Sequence, residues 1–274
     1  MFPDDDTCLA HLFSVRFGVD PQCPKCGEVG KFHRLAKMPA YTCNCGHHIH
    51  PMAGTPFLRT RTSLQKWFYA MYLFTTTRNG VAAKELQRQL GVTYKTAWRM
   101  AKEIRIYMGW VDGDAKIGGP GGGIVEADKS FIGGYDRRGE DDKTIVLGMV
   151  ERGGEVVTRI VLDKSAENVL PFVYQFVREG SRVATDTSRT FSDLRYAYYH
   201  ATVNHQAKEY ARGPIHTNTI EAFWSWFQRG VNGTHVWVSP KHMSKYLGEF
   251  EFRFNLRKSP HLMFPLLIAS FRRP

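Results

Sequence analysis

Three carboxylates in this chain are placed where they could do chemistry together. Asp128 lies in the apolar run 124–131, Asp186 closes the run 181–186, and Glu221 stands near the start of an amphipathic segment, after His216-Thr217-Asn218-Thr219-Ile220. Hard divalent cations such as Mg²⁺ or Mn²⁺ prefer oxygen ligands. Two of them held by three carboxylates can activate an attacking oxygen and stabilise a leaving one in phosphodiester displacement. Three neighbours are candidate auxiliaries. Asn218 is one helical turn from Glu221 and shares its face. Glu126 is two residues before Asp128, on the same side of a strand, as a partner behind the acid. His216 precedes the helix as a cap or auxiliary.

The second chemical feature is sulfur. Cys23-Pro24-Lys25-Cys26-Gly27 and Cys43-Asn44-Cys45-Gly46 place two thiol pairs on short turns, with 16 residues between Cys26 and Cys43. This is the pattern of a zinc ribbon: thiolates suit tetrahedral Zn²⁺, and a glycine after each pair lets the turn aim its amides at sulfur. Cys23, Cys26, Cys43 and Cys45 are the expected ligands of one structural zinc, with His47 or His48 as alternatives to Cys45. Cys8 is left over and reads as a small buried apolar residue. An odd cysteine count with four thiols in close pairs favours metal over a disulfide framework, hence a reducing compartment.

The elements that must position these groups follow from periodicity. Leu64, Trp67, Phe68, Met71 and Tyr72 have helical spacing after Ser63, a plausible N-cap. Segments 81–90 and 93–104, parted by Gly91, predict a helix-turn-helix; in the second, Ala97, Ala101 and Ile104 share one face and Lys95, Arg99 and Lys102 another. The cationic face suits a DNA groove, with a solvated basic face as the plainer alternative. Residues 112–123, half of them glycine, read as a linker or hinge. Segments 124–131, 144–150 and 155–162 predict an antiparallel meander, joined by turns at 133–142 and 152–154; a helix at 165–179 and a strand at 181–186 follow. That order is the order of a ribonuclease-H-like fold. It puts Asp128 on the central strand, Asp186 on its neighbour and Glu221 on a later helix running to Arg229, where Gln228 and Arg229 could meet DNA backbone. Segment 230–238 reads as a hairpin about Asn232-Gly233. Ser239-Pro240 then starts a helix that brings Lys241 and further cations, its aromatics expected in the core rather than as base-stacking platforms.

The expected fold class is therefore α/β, a ribonuclease-H-like catalytic domain (mixed sheet with flanking helices) preceded by a zinc ribbon and a helix-turn-helix. The expected domains are 1–58 for the ribbon, 59–111 for the helices, 112–123 for the linker and 124–274 for the catalytic domain. The composition agrees. Among 274 residues, 37 Lys+Arg against 26 Asp+Glu give a net charge of +11, and residues 1–110 carry 15 basic against 7 acidic. A basic front half is the footprint of a polyanion binder. No apolar run approaches the length that crosses a bilayer, and the acidic start, Asp4-Asp5-Asp6, lacks the basic region of an export signal.

With these motifs in hand, the chain resembles an insertion-sequence transposase of the DDE type, from the bacterial lineage related to Merlin elements. The resemblance spans nearly the whole chain. It rests on the ribbon, Ala53-Gly54-Thr55, Lys66-Trp67-Phe68, the segments 86–92 and 94–100, Val125-Glu126-Ala127-Asp128, Ile132-Gly133-Gly134, Thr185-Asp186, the segment 216–221, Phe223-Trp224-Ser225 and Val238-Ser239-Pro240-Lys241-His242. It implies that Asp128, Asp186 and Glu221 form a metal-binding triad, with Asn218 a contender for the third place. It further implies a DNA transposase that acts on terminal inverted repeats and target DNA as a homodimer or higher oligomer, in a bacterial cytoplasm near the nucleoid. A non-cutting, transposase-derived DNA-binding protein and a nuclease of the same fold are the alternatives. Three positions depart from the pattern: Lys129 where an acid is usual, Gln228 where a base is usual, and Cys43-Asn44-Cys45 instead of CxxC.

Overall fold

The computed structural model describes residues 2–133 and 143–271. The turn expected at 133–142, and with it Gly134 of the resemblance, falls outside the described residues beyond Gly133. The described residues form two compact units, one within Met1–Val111 and Ser259–Pro274, the other within Asp112–Lys258. The final segment, assigned from sequence to the catalytic domain, thus packs with the N-terminal modules, which themselves make one unit rather than two.

The first unit opens with a helix the sequence reading did not anticipate, α1 (Asp5–Phe17). Asp4 accepts a hydrogen bond from the Thr7 amide at 2.7 Å, and Asp5 and Asp6 lie in the first turn, where negative charge suits the amide end of a helix. It buries Cys8, Leu9, Leu12 and Phe13. A small antiparallel sheet follows, β1 (Phe32–Arg34), β2 (Tyr41–Cys43) and β3 (His48–Ile49). Phe13 stacks on Tyr41 with ring centroids 4.0 Å apart, so the ribbon leans on α1 for apolar cover. Next come α2 (Leu64–Thr76), capped by Ser63 as expected, α3 (Ala83–Leu90) and α4 (Tyr94–Asp112). Gly91 sits between α3 and α4 at φ 61°, a left-handed conformation that glycine tolerates. Ala97, Ala101 and Ile104 are all fully buried, as their spacing predicted.

In the second unit, β4 (Val125–Ile132), β5 (Thr144–Glu151) and β6 (Val156–Val161) form the expected meander. Helix α5 (Ala166–Phe176) then crosses over to β7 (Arg182–Asp186), and β8 (Tyr199–Val203) completes a sheet of order β6-β5-β4-β7-β8, with β7 and β8 parallel to β4. This is the ribonuclease-H-like arrangement. Residues 112–123 are no free linker: the Glu151 carboxylate accepts from the amides of Gly118 and Gly123, each at 2.9 Å, and Ser181 Oγ accepts from Gly119 at 2.8 Å. A two-stranded ribbon, β9 (Ala211–Arg212) and β10 (Ile215–His216), leads into α6 (Asn218–Arg229) and then α7 (Pro240–Asn255), with Pro240 in its first turn. The last helix, α8 (Met263–Ala269), belongs to the first unit, where Tyr107 Oη donates to Leu267 O at 2.8 Å and Phe271 is fully buried.

The segment 230–238 is not a hairpin. α6 continues into a wider π-turn over Gly230–His235, which keeps Val231 in the core, and Val238 returns to the same apolar cluster. Two valines seeking one core leave no free strand edge for pairing. Between them Val236 takes φ 65°, ψ −47°, and the Trp237 amide donates to His235 O at 2.7 Å, closing a γ-turn of the strained, positive-φ kind. A β-branched residue held so costs about 1–3 kcal/mol.

The two faces of the sheet serve different ends. Odd residues of β4, with Val125 and Ala127, enter the core beneath α5, while Ile132 on the even side joins Val146, Val150, Ile220 and Trp224 beneath α6. Glu126 and Asp128 therefore face α6. Gly148 lies opposite Asp128 in register, and a Cβ there would meet Trp224 Cζ2 at 2.4 Å and Ile220 Cδ1 at 2.7 Å. The missing side chain is what lets α6 approach the sheet. Gly148→Ala is expected to destabilise the protein by about 1–3 kcal/mol through overpacking, read as a lowered urea midpoint; an unchanged midpoint would mean that α6 is not seated this closely.

Candidate functional site

The register of β4 and β7 pairs Val125 with Val183 and Glu126 with Ala184. Continued by two residues, it brings Asp128 level with Asp186 on adjacent parallel strands, which run about 4.8 Å apart. Asp128 stands at the middle of β4 and Asp186 at the carboxyl end of β7. Asp186 accepts from the Ser188 amide at 3.1 Å, turning the chain away after the strand.

Glu221, on α6, acts electrostatically on Asp128, and the start of that helix is set by Glu126. That carboxylate is fully buried and caps the helix from outside: it accepts from the Thr219 amide at 2.7 Å, Thr219 Oγ1 at 2.9 Å and the Ile220 amide at 3.0 Å. Thr217, the residue in the capping position, makes no such bond itself. Arg152 donates to Glu126 at 2.6 Å and to His216 O at 2.9 Å, and His216 Nδ1 lies 3.2 Å from Glu126. The expected auxiliary Glu126 is thus an organiser of the helix start, and His216 stands with it. Asn218 is exposed at the first residue of α6.

Burial, with the negative charges of Asp186 and Glu221, raises the Asp128 carboxyl from its ordinary 3.8 to about 6; a backbone hydrogen bond at Lys129 and the Lys129 charge oppose this. Asp128 therefore senses the charges of the other two acids. The three are not gathered for a single ion: among the described residues, the four cysteines are the one set of three or more potential ligand atoms lying within 4.8 Å of one another. Two cations, each needing only part of the set, would be held by Asp128, Asp186 and Glu221. The donor set, all oxygen and carrying unneutralised like charge, suits hard divalent cations.

Lys129, the departure beside Asp128, lies on the opposite side of β4. Its ammonium donates to Ser188 Oγ at 2.7 Å and Thr190 Oγ1 at 2.8 Å and sits over the Phe191 ring, and burial lowers its pKa. Gln228 donates to Ser130 Oγ at 3.3 Å, joining α6 to β4. Arg229 and Lys241 are exposed. Sequence reasoning missed His205, whose Nε2 lies 3.6 Å from Glu221 Oε1 and 3.3 Å from Thr217 Oγ1, while Thr217 donates to Glu221 at 2.7 Å. A lone histidine in a polar loop carries no motif; only the fold brings it to the acid.

In the first unit, the cysteines meet as expected. Cys23 and Cys45 sulfurs are 3.6 Å apart, as are those of Cys26 and Cys43, close to the ~3.8 Å edge of a tetrahedron with 2.3 Å Zn–S bonds. Gly27 and Gly46 take φ 78° and 82°, the left-handed turns expected after each pair. Cys45 is in the cluster, and neither His47 nor His48 is. The three cations of α4 part company. Lys95 is exposed, and Lys102 stands 3.8 Å from Glu103. Arg99 turns inward, donating to Thr60 Oγ1 at 3.3 Å with its guanidinium over Trp67.

Residues 121–255, which hold all three acids, match the model of the ISXO2-like transposase domain, and residues 3–48, with α1 and the four cysteines, match that of the transposase zinc-ribbon domain. The chain belongs to the ISXO2-like transposase family. It is 30% identical over 102 residues, 37% of this chain and 81% of the relative, to an uncharacterized transposase-like protein of Haemophilus influenzae. It is also 25% identical over 277 residues, 91% of this chain and 90% of the relative, to an uncharacterized protein in transposable element ISH50 of Halobacterium salinarum. The cysteine cluster of this transposase is a structural zinc site. No helix among the described residues is long and apolar enough to cross a membrane.

Two outcomes follow from this geometry. Cys45→Ser is expected to lower the zinc content of the purified transposase well below that of His47→Ala or His48→Ala, both of which keep a full equivalent; metal analysis of the three decides. A carboxyl with a folded pKa above its unfolded one loses stability as pH rises between the two. In metal-free protein, Asp128→Asn should therefore add about 1–2 kcal/mol at about pH 7.5 and little at about pH 4. Equal gains in urea denaturation at both would remove the electrostatic cause.

Proposed function

We propose that this transposase binds the terminal inverted repeats of its element and cuts and joins DNA at a site held by Asp128, Asp186 and Glu221. The observation that carries the reading is the β4–β7 register, which sets Asp128 beside Asp186 on the face covered by α6. Asp128, Asp186 and Glu221 are the residues that would hold the metal. Thr217 and His205 hold the Glu221 carboxylate from behind, and Asn218 is exposed at the same helix end. Two Mg²⁺ or Mn²⁺ ions bound there supply Lewis acidity to the attacking and leaving oxygens. Asp128 is fixed by β4, Asp186 by the end of β7 and Glu221 by the first turns of α6. Water is the nucleophile of the first cut and a DNA 3′-hydroxyl that of joining, so the same acids serve both displacements.

DNA contact is assigned to exposed Lys95 and half-buried Lys102 on α4, the second helix of a helix-turn-helix, and to exposed Arg229 and Lys241 at the end of α6 and the start of α7. Arg99 belongs to this set by spacing, yet its packing on Trp67 gives it a structural share as well. Joining two ends to a target calls for a dimer or higher assembly. Lys129 and Gln228 are the departures that would favour a non-cutting protein. Both find partners within the protein, Lys129 on Ser188 and Thr190 and Gln228 on Ser130, which favours the cutting enzyme.

The test is a nicking and strand-transfer assay on DNA carrying the element's ends. Product should require Mg²⁺ or Mn²⁺ and fall by at least about 10³-fold in Asp128→Ala, Asp186→Ala and Glu221→Ala while end binding persists. In the same preparation Lys95→Ala should weaken binding and flatten its salt dependence by about one counterion. Tight binding with no metal-dependent product from the wild type would establish the non-cutting protein, and hydrolysis without joining the nuclease.

A further inference from the structure

Between α6 and α7 the chain presents an aromatic ring where the core has no use for it. Trp237 is 51% exposed and Val236 80% exposed, although both lie between Val231 and Val238, which are buried. The presentation is rigid. Val231 and Val238 are held in one cluster with Phe227 and Phe250, and the His235 ring packs edge-on against Tyr246 at 4.8 Å. The γ-turn at Val236 is a conformation a valine adopts only when its surroundings force it, and strain of that kind gathers where a binding surface is built.

Two further observations say what covers the ring. From Ala222 through Gly248 the chain has no Asp or Glu, while it carries Arg229, Lys241 and Lys245. Arg229 ends α6 and Lys241 is the second residue of α7, so exposed cations flank the turn along the chain. The exposed neighbours of the apolar pair, Asn232 and Gly233, are not apolar. Two apolar residues in such a setting are far from the roughly 800 Å² per partner of a stable protein interface. A flat π-surface flanked along the chain by cations, in a stretch without Asp or Glu, is what a nucleobase stacks on, the backbone being drawn by charge and the base by the ring.

We infer that Trp237 is a stacking platform for an unstacked base of the DNA substrate, presented by the turn that follows the helix bearing Glu221. A base inside an intact duplex is already stacked on its neighbours, so the platform favours DNA whose end is frayed or unpaired. The inference deepens the reading of the chain as a DNA-cutting transposase and rests on it for the nature of the substrate. Its readout is binding, which does not depend on cutting.

The experiment uses the full-length, zinc-loaded chain without Mg²⁺ or Mn²⁺. Two labelled DNAs of the same length are compared, a fully paired duplex and the same duplex with mispaired bases at one end, the latter carrying 2-aminopurine at the mispaired position. Wild type is expected to prefer the mispaired end and to quench the analogue. Trp237→Ala should lose about five-fold or more of that preference and the quenching while binding paired duplex as before, and Trp237→Phe should retain most of both. An unchanged preference in Trp237→Ala overturns the proposal. So does an equal loss on both DNAs accompanied by a change in sedimentation, which would make the ring part of a protein contact. If the wild type fails to cut DNA carrying its ends in Mg²⁺ while the preference still depends on Trp237, the cutting assignment falls and the platform stands.

Discussion

A carboxylate buried without water must have its charge met by fixed donors, and Glu126 has them all from two directions: the first-turn amides of α6, and Arg152 with His216. The requirement is strict because a buried ion left unpaired costs several kcal/mol. It ties β4, the turn after β5 and the start of α6 into one body. Asp128 is two residues along the strand from Glu126, and Glu221 is one residue beyond the capped amide of Ile220. The distance between the two candidate ligands therefore depends on short hydrogen bonds rather than on loose packing.

The same arrangement works against itself electrostatically. Burial, and then the charges of Asp186 and Glu221, make Asp128 harder to ionise, so like charge accumulates at this end of the sheet. Lys129 does not neutralise this charge by pairing within the site. Its side chain leaves β4 on the other face and fastens to Ser188 and Thr190, the residues that follow Asp186. A cation at this position holds the loop after β7 from behind. That is how a lysine can stand where similar chains carry an acid without closing the acidic site.

Much of the second unit was legible because its strands are near-continuous apolar runs, and a carboxylate inside such a run is conspicuous. Asp128 and Asp186 were visible for that reason, and Glu221 because a helix-starting pattern precedes it. The cysteine pairs were legible through spacing alone. What failed to show was whatever depends on three-dimensional closure. Nothing local marks Glu126 as a helix cap, His205 as a neighbour of Glu221 or Gly148 as the space for Trp224, because the partners are far away in sequence. Arg99 shows the limit of periodicity: its spacing matches Lys95, but a long side chain can fold back, and Trp67 and Thr60 offer it a better partner than water. Asn232-Gly233 has the composition of a hairpin turn, yet burial of Val231 and Val238 decided the backbone.

The return of the chain end to the first unit has its own consequence. Phe271 packs against Phe57, Phe68 and Tyr107, so the core of the helical unit contains a ring from the far end of the sequence, after the whole sheet unit has intervened. A ribbon with little apolar core of its own leans on α1 and zinc, and α1 leans on α2, whose Phe68 takes Phe271 as a neighbour. Long-range closure of this kind comes late, because its entropy must be met before its contacts form. The sheet unit, whose strands are contiguous in the chain, can organise its acids first. The unit that carries the zinc and the cations of α4 completes its core only when residues 259–271 have been made and brought back.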